Sequence, residues 1–125
     1  MKFAKIVFWS AAVWGILVFI PMYFLYEKVG ETYPPPLTHP EFYFGFIGVG
    51  LACQFVFAVI ATDPVRFRPL MLPSIFEKAS YVAATAVLYI QHRTTMPLLG
   101  AGVDALLGLL FVIAFLKTRP IPRPS

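Results

Sequence analysis

Residues 98–116 read LLGAGVDALLGLLFVIAFL, an apolar run that contains one charged side chain, Asp104. The run is close to the ~20 residues that an α-helix needs to cross the hydrocarbon core of a bilayer. No acidic or basic residue lies at helical spacing from Asp104 along this run. Because a charge at the centre of a membrane helix costs roughly 2.5 to 3.5 kcal/mol, Asp104 needs a partner, a proton or a function.

Three further apolar runs precede this one, at residues 6–26, 42–61 and 75–91. Hydrophobic residues make up 59% of the 125-residue chain and charged residues only 13%, which is outside the range of soluble domains. The pattern predicts an all-α integral membrane protein, with residues 1–125 forming a single up-down-up-down bundle of four transmembrane helices. The C-terminal residues 117–125 are basic and rich in proline, which predicts a flexible cytoplasmic tail.

The basic residues predict the orientation of the bundle. If the N-terminus is cytoplasmic, the outer side receives only Lys28 and Arg93. The inner side then receives eight basic residues: Lys2, Lys5, Arg66, Arg68, Lys78, Lys117, Arg119 and Arg123. Since the cytoplasmic side is normally the richer in lysine and arginine, we predict an N-in/C-in protein of the bacterial inner membrane. The net charge of +4 is then explained by contact with lipid headgroups, and nucleic acid is not expected as a partner.

A helix-start pattern offers a structural explanation for one acidic residue, Glu77. The segment Ser74-Ile75-Phe76-Glu77 has the spacing of a capping box, in which a serine and a glutamate satisfy free backbone N–H groups at a helix N-terminus. This places Glu77, and Lys78 beside it, at the inner membrane surface.

The depth of Asp104 predicts its neighbours. At a rise of 1.5 Å per residue, Asp104 lies at the level of residues 83–85 in the third apolar run. Tyr81, Thr85 and Tyr89 are therefore its expected partners, and Gln54 of the second run lies deeper. Gly100 and Gly108, four residues to either side of Asp104, allow close helix approach and direct Asp104 at a neighbouring helix.

Four further polar residues are expected at the outer mouth of the bundle: His39, Glu41, His92 and Arg93. Two interpretations remain open. Asp104, Gln54 and Thr85 could simply join helices by hydrogen bonds. Alternatively, Asp104, Tyr81, Tyr89 and Gln54, together with the outer residues, line one outward-facing cavity that binds an amphiphile or passes protons. Neither histidine is expected to bind a metal, because surface histidines usually face water.

The chain resembles the small four-span bacterial membrane proteins grouped as DoxX-like. The resemblance rests on residues 45–52, on Asp63-Pro64-Val65-Arg66 and on residues 104–115 with their Asp-x-x-x-Gly start, about half of the chain. It implies a four-helix bundle, sometimes associated with quinone-linked redox partners. It implies no defined catalytic residue.

We therefore expect a non-catalytic binding or accessory protein with a cleft near Asp104 for a lipid-like or quinone-like molecule. No metalloprotease, nucleotide-binding or haem motif occurs, so no motif supports catalysis or a bound metal. The alternatives are a proton-coupled carrier that acts as a homodimer, and a structural subunit of a larger membrane complex. Beyond the lipid bilayer, the expected partners are a second copy of the chain or another membrane protein.

Overall fold

The computed structural model describes residues 2–93 and 98–119 of the chain. Within these ranges the protein is helical, with 82% of residues in helices and no β-strand. The prediction of an all-α protein is confirmed. The helices are α1 (Lys2–Met22), α2 (Tyr26–Thr32), α3 (Pro40–Thr62), α4 (Met71–Ile90) and α5 (Leu99–Lys117), with a short 3₁₀-helix, Arg68–Leu70, before α4.

Three of the described helices, α1, α3 and α5, are long and apolar enough to cross a membrane. The protein is therefore a membrane protein by helix length and composition. The fourth long helix, α4, has 20 residues, but it is more amphipathic than the others and contains Glu77 and Lys78. The composition of α4 thus sets it apart from α1, α3 and α5.

The four long helices form two antiparallel pairs. α1 packs mainly against α3, with Tyr43 donating a hydrogen bond to the carbonyl of Met22 at 2.7 Å. α4 packs mainly against α5. Arg68 begins the second pair by donating from Nε to the carbonyl of Phe115 at 3.0 Å and lying 3.6 Å above the Phe115 ring. Such a bond satisfies one of the carbonyls left free at a helix C-terminus.

The two pairs meet at what we call the closed end, where α1 and α4 begin and α3 and α5 end. Three fully buried rings, Phe8, Phe57 and Phe111, form its centre. Phe8 and Phe111 stack with centroids 4.3 Å apart, and Phe57 meets Phe111 edge-on at 5.0 Å. Small residues, including Ala4, Ala11 and Ala114, fill the remaining space. Close packing at this end fixes the relative position of the pairs.

Several helix ends differ from the sequence predictions. α4 begins at Met71, four residues before the predicted 75, and Ser74 bonds the Leu70 carbonyl within the helix. The predicted capping box is therefore wrong.

The first helix ends at Met22, and α2 follows as a separate element. The predicted flexible tail is wrong at its start, because α5 includes Lys117 and Thr118 is 2% exposed with a bond to the Ala114 carbonyl. Residues 120–125 of that tail lie outside the described residues.

Candidate ligand-binding cleft

Beyond the closed end the two helix pairs separate and leave a cleft of about 670 Å³ between them. This is within the usual 300–1,000 Å³ of small-molecule sites. One wall is apolar and aromatic, from the second half of α1 and the first half of α3, and includes Trp14, Phe19, Phe46 and Val49. The opposite wall, from α4 and α5, includes Tyr81, Ala84, Leu99 and Gly100. Three charged side chains, Glu77, Lys78 and Asp104, also line the cleft.

Lys78 and Asp104 form an ion pair on the α4–α5 wall of the cleft. Lys78 Nζ lies 3.2 Å from Asp104 Oδ1, with side chains 4% and 17% exposed respectively. The ammonium group also lies 5.3 Å from the centroid of the Phe57 ring, so it is held between the cleft and the aromatic core. A buried charge without a partner is strongly unfavourable, and here each charge provides the partner of the other.

Gly108 makes room for this lysine. A Cβ atom placed on Gly108 would lie 3.2 Å from Lys78 Cβ, closer than most side-chain contacts. The glycine four residues after Asp104 therefore allows the stem of Lys78 to run along α5 to the carboxylate. The sequence prediction that Asp104 points at a neighbouring helix is confirmed, and the contact is with α4.

Glu77 is the third charged group of the cluster. Its Oε2 lies 3.6 Å from Lys78 Nζ, which is too long for a hydrogen bond. This oxygen is buried and has no hydrogen-bond partner among the described residues. With both carboxylates ionised, the cluster of Glu77, Lys78 and Asp104 carries a formal charge of −1 and retains an unused acceptor.

Gln54 lies fully buried beside the cleft, against α1. Its Nε2 donates to the carbonyl of Gly50 at 2.8 Å, while Oε1 has no hydrogen-bond partner within the described part of the chain. A Cβ on Gly15 would collide with the Gln54 amide, so only glycine fits there without a shift. Gln54 of α3 thus packs against Gly15 of α1 and is not among the residues that line the cleft.

The structure corrects the predicted partners of Asp104. Its partner is Lys78, which is predicted at the inner membrane surface but is only 3% exposed. Of the expected partners, Tyr81 lines the cleft, whereas Thr85 and Tyr89 do not. Thr85 is half-buried and Tyr89 is 53% exposed. The depth estimate failed because α4 begins earlier than predicted, which carries Lys78 about 10 Å into the helix.

The structure does not bring the predicted residues together in one cavity. His39 and Arg93 line a separate groove of about 560 Å³ at the other end of the molecule from the closed end. The segment 33–36 forms much of its wall. His39 Nδ1 lies 3.1 Å from Glu41 Oε1, and His92 is exposed. These four outer residues therefore do not meet Asp104. No group of three potential metal ligands occurs in residues 2–93 and 98–119.

No known protein family, curated protein or solved structure matches this chain. The cleft is therefore the feature of this protein that bears on its function. Its walls can solvate an apolar body, and its charged cluster can orient a polar head.

Lys78 and Glu77 are the residues that sequence reasoning missed. Both had ordinary explanations, one as a surface cation and the other as a helix cap. A signal was present in the spacing of Met71, Ser74 and Lys78, which recur at intervals of three and four and are the buried residues of α4. That interval marks the inner face of a helix and places Lys78 on it.

Proposed function

We propose that this protein is a non-catalytic membrane protein that binds a lipid-like or quinone-like amphiphile in the cleft between its helix pairs. The observation that carries the proposal is an apolar cleft of about 670 Å³ that ends on a buried ion pair. Charges inside the membrane are costly, and a pure packing role would be filled at lower cost by uncharged residues. An apolar body would lie along Trp14 and Phe19, with its polar head at Lys78 and Asp104.

Two glycines of α5 provide a matched test of ligand binding. A Cβ atom on Gly100 or on Gly102 would meet no atom within 4 Å, so both positions accept a larger side chain. Only Gly100 lines the cleft. Gly100→Phe should fill the cleft and remove a co-purifying or added amphiphile from the native mass spectrum, whereas Gly102→Phe should retain it. Equal retention by both variants, or no bound amphiphile in the unmodified protein, would contradict the proposal.

The proposed arrangement in the membrane is four spans with both termini inside, in the bacterial inner membrane. It is supported by the 20-residue length of α4, about 30 Å, and by the pairing of Lys78 with Asp104 inside the bundle. Removing Lys78 from the predicted eight inner basic residues leaves seven, against two outside, so the asymmetry persists.

This arrangement is testable by cysteine labelling. In a Cys53→Ser background, Pro35→Cys should react with an impermeant thiol reagent added to intact cells, and Val65→Cys should react only after the membrane is opened. Both positions are exposed in the structure. Labelling of Val65→Cys in intact cells would overturn the N-in orientation.

A second candidate function is a proton-coupled carrier, for which the supporting observation is two carboxylates on either side of one buried ammonium group. In proteoliposomes such a carrier would show substrate uptake driven by an imposed proton gradient, and Asp104→Asn would abolish that coupling while Gly102→Phe would not. Ligand binding without any gradient-driven uptake would favour the binding protein.

A further inference from the structure

The charged cluster in the cleft contains hydrogen-bonding groups that are not fully used. Lys78 donates one hydrogen bond, to Asp104, within the described residues, although an ammonium group has three N–H donors. Glu77 Oε2 accepts none from that part of the chain. Lys78 and Glu77 both line the cleft, and their Nζ and Oε2 atoms, 3.6 Å apart, both keep unused hydrogen-bonding capacity.

We propose that Lys78 and Glu77 together bind the head of an uncharged, hydroxyl-bearing lipid. A hydroxyl oxygen can accept a hydrogen bond from Lys78 Nζ while its own hydrogen is donated to the carboxylate of Glu77, whose side chain is 26% exposed. One small group thus bonds to both residues. Hydrogen bonds to charged groups are stronger than neutral ones, so this head site selects the hydroxyl among heads of similar size. The inference rests on the proposed function, since it names the ligand class of the same cleft.

The charges of the cluster argue against both kinds of ionic head. A carboxylate or phosphate head would add negative charge beside Glu77 and Asp104, with only Lys78 to compensate. A cationic head would compete with the Lys78 ammonium group, which already lies 3.2 Å from one carboxylate and 3.6 Å from the other. Like charges close together in a low-dielectric site are strongly unfavourable.

A tryptophan of the cleft allows the inference to be tested with matched probes. Trp14 lines the cleft, and Trp9→Phe leaves it as the single tryptophan of the chain. Bromine quenches tryptophan fluorescence on contact, so four probes with one bromoundecyl chain can be compared: the alcohol, the carboxylate, the trimethylammonium salt and the plain bromoalkane. Gly100→Phe, which fills the cleft, provides the blank for quenching from the surrounding detergent.

We expect saturable quenching by the alcohol at a concentration at least ~10-fold below that of each ionic probe. Glu77→Leu should weaken alcohol binding by about tenfold and leave the bromoalkane unchanged, because it removes one hydrogen bond. Glu77→Gln keeps an acceptor oxygen and removes the negative charge. It should therefore retain alcohol binding and bind the carboxylate more tightly. Glu27→Leu, a change at an exposed acid of α2, is the control and should resemble the parent.

The outcomes separate the two proposals. If no probe quenches Trp14 saturably, the cleft is not a ligand site and the proposed function fails. If the probes do bind, but the carboxylate or the trimethylammonium probe binds as tightly as the alcohol, the cleft is a ligand site and the hydroxyl assignment is wrong. The assignment is equally wrong if Glu77→Leu weakens the alcohol and the bromoalkane to the same extent.

Discussion

The closed end and the cleft are built from the same four helices but use them differently. At the closed end, aromatic rings and alanines from three helices interlock, and Phe8, Phe57 and Phe111 are completely buried. In the cleft, the aromatic side chains are only partly buried, and Phe46 is 47% exposed. The polar groups lie at the boundary, where Lys78 contacts Phe57 on one side and the cleft on the other. Tight packing and open volume are thus separated along the helix axes.

The ion pair at this boundary should give the largest effect on stability. Lys78→Met leaves Asp104 without its partner, and loss of one member of a buried pair costs about 3 to 5 kcal/mol. The double variant Lys78→Met/Asp104→Leu should recover most of this loss, because apolar residues can replace a buried pair at little cost. Both variants also remove the cation beside Glu77. The Glu77 side chain is 26% exposed to the cleft, so it does not become a second fully buried charge. Denaturant unfolding in detergent measures the difference.

Lys5→Met, at an exposed lysine of α1, is the matched control and should unfold like the parent protein. A Lys78→Met variant as stable as the parent protein would contradict this prediction. It would mean that the ion pair is well hydrated and does not stabilise the boundary between the closed end and the cleft.

Aromatic truncation provides a smaller and more direct comparison of the two ends. Phe111→Ala removes the central ring of the closed end and should lower the free energy of unfolding by about 3 kcal/mol. This is the low end of the usual range, because detergent around the unfolded chain reduces the transfer term. Phe46→Ala, in the cleft wall, should cost less than about 1 kcal/mol. Thermal unfolding of both variants measures this ranking. If Phe46→Ala lowered the free energy of unfolding as much as Phe111→Ala, the cleft wall would be as tightly packed as the core.

Some of this architecture could be predicted from the sequence. Helical apolar runs indicated a membrane protein, and the isolation of Asp104 within its run correctly indicated a buried interhelical contact. Its partner was missed because a helix start had been placed at Ser74 from a local capping pattern. The residues around Ser74 match the capping pattern, but the helix begins at Met71. Met71 is fully buried, so this start depends on packing between helices, which a local pattern does not contain. The division of the polar residues into a cleft and an outer groove also depends on how the pairs separate, which no local pattern encodes.

Within residues 2–93 and 98–119, the chain passes from one helix pair to the other once, through residues 63–70. That crossing lies at the closed end, where Arg68 ties it to the last turn of α5. At the opposite end, residues 23–39 lead from α1 to α3 of the same pair, and α5 follows α4 in the other pair. No covalent connection between the pairs crosses the cleft at that end within the part of the chain that the structure describes. In the proposed function, a molecule dissolved in the bilayer would enter laterally between the helix pairs, moving sideways out of the lipid, without passing through water.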